Sequence, residues 1–124
     1  MLKPHAYQPP EDGLPPQEVR IVDLHVEPWP EDGRRVRIHL EITPFLERPD
    51  LEVIITDKED HEISSINIVE SIDAKMTFTM HIRGQELQEI YTLKASVLYP
   101  DIGTVDHKII PFETIKKEDN REDP

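Results

Sequence analysis

The sequence predicts an all-β fold, an antiparallel sandwich of about seven strands with flexible N- and C-terminal segments. Three observations predict it. Apolar residues recur at every second position through most of the stretch from Val19 to Ile115, the mark of strands with one face in a core and one in water. Gly, Pro and Asp interrupt these runs at the spacing of a sandwich or barrel. No long segment carries a helical period, apart from a helical turn expected near Gly84 to Glu89.

The first strand, Val19 to Glu27, changes phase between Ile21 and Val22, which suits a bulge or a change of sheet at an edge. In the second, Val36, Ile38, Leu40 and Ile42 alternate with Arg35, Arg37, His39 and Glu41. Between them Pro28-Trp29-Pro30-Glu31-Asp32-Gly33 closes a hairpin, with Asp32-Gly33 able to supply positive φ. The expected register opposes Glu27 to Arg35, His25 to Arg37 and Asp23 to His39, and its complementary pairs are each worth about 0.2 to 1 kcal/mol. Leu51, Val53 and Ile55 make a third strand, Asp57-Lys58-Glu59-Asp60 a turn, and Ile63 to Val69 a fourth strand. Met76, Phe78, Met80 and Ile82 alternate with Lys75, Thr77, Thr79 and His81 in the fifth, and Tyr91, Leu93, Ala95, Val97 and Tyr99 mark the sixth. The seventh, Val105 to Phe112, has its phase blurred by Ile109-Ile110.

The 124 residues fit a single domain, expected over residues 18–115. Residues 1–17 contain Pro4, Pro9, Pro10, Pro15 and Pro16, which fix φ and remove donors, and are expected to form a flexible proline-rich arm. Residues 116–124 hold no large apolar side chain to repay the entropy of ordering them, and are expected to be a disordered charged tail. The formal charge of −12 repels phosphate backbones and argues against nucleic acid. No stretch is long and apolar enough for a membrane-spanning helix, and Met1-Leu2-Lys3-Pro4-His5 does not lead into an apolar signal core, so a cytoplasmic location without membrane contact is expected. The lack of cysteine excludes disulfides and thiolate metal sites, and agrees with a reducing compartment.

Leu51 to Ile63 resembles the strand, acidic turn, strand unit of bacterial immunoglobulin-like modules, with Asp60 where glycine is usual. Tyr91-Thr92-Leu93-Lys94-Ala95-Ser96-Val97 is similar to their sixth strand, and the resemblance implies a tyrosine corner in which the Tyr91 hydroxyl bonds back to the preceding loop. Without cysteine, and with Trp29 in the first loop, the resemblance leans toward the fibronectin type III-like branch. Such folds host many roles, so it transfers no function.

No catalytic residue is assigned. Ser64-Ser65 and Ser71 have no setting for a nucleophile, and four scattered glycines make no phosphate cradle. No cofactor and no small-molecule substrate are expected. Two metal alternatives remain open. In a four-stranded sheet ordered first, second, fifth, fourth, His25, His39 and His81 would share a solvent face and could ligate zinc. Asp50, Asp57, Glu59, Asp60 and Asp73 lie in loops where calcium could bind.

A partner surface is the leading functional expectation: a non-catalytic binding, adaptor or assembly module that engages a protein, or a second copy of itself, through edge strands or an outer sheet face. With Leu51, Val53 and Ile55 inward, Ile54 and Leu98 point outward, beside Ile109 or Ile110, of which Ile110 is the favoured neighbour. Trp29, held between two prolines, either anchors a partner or covers the end of the core, the second being the commoner role. The runner-up function is a small enzyme or a zinc- or calcium-binding domain using exposed His and acidic residues.

Overall fold

The computed structural model describes residues 7–29, 33–84 and 86–114. A 3-10 turn, Pro16–Glu18, precedes seven strands: β1 (Ile21–Pro28), β2 (Arg35–Ile42), β3 (Asp50–Thr56), β4 (Glu62–Ile68), β5 (Lys75–His81), β6 (Ile90–Tyr99) and β7 (Gly103–Glu113). They form two antiparallel sheets, one ordered β1-β2-β5 and the other β4-β3-β6-β7. The first sheet therefore has three strands, and the fourth strand joins the opposite sheet beside β3. Its short acidic turn leaves it no route across the sandwich: the Asp57 amide donates to the His61 carbonyl, closing a tight hairpin. Among the described residues no helix is long and apolar enough to cross a membrane.

Period-two alternation becomes burial. Val36, Ile38, Leu40 and Ile42 of β2, Leu51, Val53 and Ile55 of β3, and Tyr91, Leu93, Ala95 and Val97 of β6 are all buried. Fully burying one such aliphatic side chain is worth about 1.5 to 3 kcal/mol, so these three central strands carry the core. The phase change in the first strand is a β-bulge at Val22, where the pairing with β2 shifts and the valine turns to solvent. The Tyr91 corner forms as well: its hydroxyl accepts the Gln88 amide at 2.9 Å, and its ring packs on Phe112.

The first hairpin is paired two positions away from the expected register. Glu27 faces Arg37, His25 faces His39, and Asp23 faces Glu41. The hairpin closes on a different pair: the Trp29 amide donates to the Arg35 carbonyl, and the Gly33 amide reaches back to the Trp29 carbonyl at 3.4 Å with Gly33 at φ +65°. A slip of two leaves every side chain on its face, so the hydrophobic pattern cannot detect it.

Residues 7–17 are fastened rather than free. The Tyr7 ring stacks on Phe45 and its hydroxyl donates to the Phe45 carbonyl, while Leu14 makes a parallel bridge to Phe45. Gly13 is needed there, because a Cβ would lie 3.0 Å from the Phe45 backbone. Residues 1–6 of the expected arm, like the expected tail at 116–124, lie outside the described residues.

Candidate functional site

On the outer face of the four-stranded sheet, cross-strand pairing fixes the neighbours. Ile54 pairs with Lys94, and Lys94 pairs with Ile109, giving one row across β3, β6 and β7. Ile109 is 55% exposed, and Ile54 is half-buried. Leu98 also faces outward, but opposite Asp50, four residues along β6 from Lys94 and so about 13 Å from that row. Ile110 is a correction. It pairs with Leu93, faces inward and packs against the core, so Ile109 takes the outward place. The irregular pairing between Val97 and Leu98 sets this phase, which two consecutive isoleucines could not reveal.

The outer face of the three-stranded sheet is polar and closely interlinked. Trp29 does not pack with the core cluster. Its indole lies under two guanidiniums, Arg35 at 4.5 Å and Arg37 at 4.8 Å from the ring centroid. Outward arginines of β2 offered a better cover than the core end, because a cation over an aromatic face gains about 0.5 to 1 kcal/mol at exposed sites. His25 and His39 stack with centroids 4.4 Å apart and planes at 16°. The Asp23 carboxylate binds the His25 ring at 2.8 Å, and Glu27 binds His39 at 3.0 Å. The bond from His39 holds the Glu27 carboxyl below its ordinary pKa, against some desolvation. His81 shares this face but lies opposite Arg35, four residues along β2 from His39, so the three histidines do not converge on one ion.

The expected calcium residues separate too. Asp50 starts β3 and accepts the Glu70 amide, whereas Asp57 follows the other end of the same strand, about 20 Å away. Among the described residues, possible ligands gather only at that second end: Asp57, Glu59 and His61 bring one ligand atom each within 4.8 Å of one another. His61 was missing from the sequence reading, although its place two residues after Glu59 in a tight turn was a usable signal. The turn already uses Asp57. One carboxylate oxygen accepts the Glu59 and His61 amides at 2.9 Å each, and the other lies 3.4 Å from the His61 ring. The His61 amide leads in lowering the pKa of this buried carboxyl, opposed by desolvation and helped by the Glu59 amide and the His61 ring.

A cleft of about 380 Å³ opens at the Asp50 end, between Arg48, Val69, Glu70, Tyr99 and Ile102. Its polar groups are tied to the scaffold. Arg48 donates twice to the Glu70 carbonyl, and the Tyr99 hydroxyl donates to the Glu47 carbonyl at 2.7 Å. Burial pushes the Tyr99 phenol up to about 12, with the Glu47 carboxylate and Tyr7 adding to the rise. It is a proton donor in a structural bond and is held in that role.

No family model and no curated protein matches this chain. Solved structures do. A glycosyl hydrolase family 2 member from Bacteroides cellulosilyticus aligns with a TM-score of 0.59 at 13% identity, over 77% of this chain and 14% of its own. A β-glucuronidase from Parabacteroides merdae gives a TM-score of 0.63 at 16% identity, over 77% of this chain and 13% of its own. A Bifidobacterium dentium β-glucuronidase gives 0.60 at 18% identity, over 79% and 18%. This chain therefore spans less than a fifth of each neighbour's length, and at such identities what the two share is the β-sandwich fold.

Proposed function

We propose that this chain is a non-catalytic binding module that docks a protein on the outer face of its four-stranded sheet. The observation that carries the reading is the Ile54, Lys94, Ile109 row, a half-buried and an exposed aliphatic side chain flanking a single cation on the outer sheet face. Exposed apolar groups that share a face mark interaction surfaces, whereas a catalytic site is usually a concave, apolar-lined pocket with converging polar groups. The finer architecture is fibronectin type III-like; the strand order and the Tyr91 corner support it. A role as an accessory domain suits a chain that overlays less than a fifth of each neighbour's length.

The test uses the purified chain and its Ile54→Lys/Ile109→Lys variant. The chain should capture a discrete protein from cells of its source, and the variant should keep the fold by circular dichroism while losing the capture. Release of aryl alcohol from aryl β-glucuronides or β-galactosides by the chain alone would overturn the reading. So would capture that the variant leaves unchanged. Among the described residues the metal-dependent reading has only Asp57, Glu59 and His61 to favour it, and the turn's own amides explain the placement of Asp57.

A further inference from the structure

The four sheet edges are not equally protected. β1 has the Val22 bulge, ends in Pro28 and carries Asp23, His25 and Glu27. β7 carries Asp106, His107, Lys108 and Pro111 along its length. Natural edges are kept apart by such charges, prolines and bulges. β4 has these only at its start, where Glu62 opens the strand and the pairing with β3 shifts at Ile63. From Ile63 to Val69 seven residues, Ile-Ser-Ser-Ile-Asn-Ile-Val, run without a charge, and among the described residues β4 hydrogen-bonds as a strand only to β3. No residue of β4 is buried, although Ile66 and Ile68 face the core opposite Val53 and Leu51. Across the gap, Met76 and Phe78 of β5 are left half-covered in the same way.

We infer that two copies of this chain join through β4, antiparallel and centred on Asn67, so that the two four-stranded sheets continue as one. The inference rests on the binding reading and adds a partner to it, a second copy. Three features select that partner. The segment is complementary to itself: centring on Asn67 sets Ile66 of one copy against Ile68 of the other, and Asn67 against Asn67, with each residue on its present face. The two-fold axis stands perpendicular to the sheet, so Ile66, Ile68, Met76 and Phe78 of both copies meet along one line and cover one another. A chain of formal charge −12 repels its copy nearly everywhere, and this neutral run lets two copies approach without opposing like charges. β5 matches it only in part. Its uncharged run is five residues, Met76 to Met80, and self-pairing centred on Phe78 would set Lys75 against His81.

Sedimentation of the full chain over a concentration series reads the inference directly. The expected mass is twice the 14.5 kDa of one chain, falling to one on dilution. Asn67→Lys, an exposed outward substitution, sets Lys against Lys and should weaken the dimer by roughly tenfold. Asn67→Glu should do the same, and mixing the two variants should restore the doubled mass, a rescue that misfolded chains would not give. Thr79→Glu on β5 should leave the mass unchanged. A monomer at every concentration overturns the inference, as does a dimer that Asn67→Lys leaves intact or that Thr79→Glu breaks. A monomer that still captures another protein through Ile54 and Ile109 would end the self-pairing while leaving the binding reading in place.

Discussion

Where β1 meets β7, the two sheets are tied across their edge: the Ile21 amide, freed by the bulge beside it, donates to the Asp106 carboxylate at 2.8 Å, and Leu24 and Phe112 are buried beneath. Where β4 meets β5, no hydrogen bond crosses between the described residues of the two strands, and Met80 is the one buried residue on either. Both seams belong to the same sandwich and both are built from alternating strands. The difference lies in what their edge residues can reach. β7 is long enough at Gly103–Glu113 to bring Asp106 under the bulge, whereas β4 ends at Ile68, and Val69 and Ile72 then leave it 73% and 64% exposed. A sandwich can thus be closed on one side by chemistry and left open on the other, and the open side is where a further strand fits.

The largest expected effect separates the centre from the open seam. In the Asn67→Lys background, at a concentration where it sediments as a single copy, Leu93→Ala should cost about 2 to 5 kcal/mol of unfolding free energy in urea, because Leu93 is fully buried and its removal leaves a cavity. Ile66→Ala should cost roughly half as much, since half-covered atoms lose less on truncation. Equal losses would mean that β4 is packed as firmly as β6. A smaller effect probes the closed seam. Asp106→Ala leaves the Ile21 amide without its acceptor and should cost about 1 kcal/mol, with faster hydrogen exchange at Ile21. Unchanged exchange there would remove the contrast between the seams.

How much of this was legible in the sequence follows from what a two-residue period can encode. It encodes a face, so the inward sets of β2, β3 and β6 were readable, and the broken phase at Ile21-Val22 announced the bulge. It does not encode a neighbour. The alternation of Ile63 to Ile68 fitted either sheet, and only the tight Asp57 to His61 closure places it beside β3. Nor does it encode register, which is why His25 was set against Arg37 and His39 against Asp23 instead of against each other. Ile109-Ile110 gave two consecutive apolar residues and no means to choose. The proline content of residues 7–17 pointed to a free arm, because the anchors that hold it, Tyr7 and Leu14 on Phe45, lie more than thirty positions apart along the chain.

The smallest expected effect concerns what holds β4 in place. It hangs from β3 by the Asp57 turn at one end and by the Asp50 to Glu70 bond at the other. The Asp57 carboxyl is held below its ordinary value of 3.8, first by the His61 amide. A folded-state pKa below the unfolded one means that this tie stabilises the fold above 3.8 and is lost as the pH falls through the lower folded value. The melting temperature of the Asn67→Lys chain should therefore drop more steeply from about pH 5 to about pH 3 than that of the same chain carrying Asp57→Asn, whose amide oxygen keeps an acceptor and does not titrate. Parallel profiles would show that acid does not act through this turn. A steeper one would place the first acid-sensitive step at the hairpin that carries the open edge, and would predict that strand pairing through β4 weakens in acid before the rest of the sandwich does.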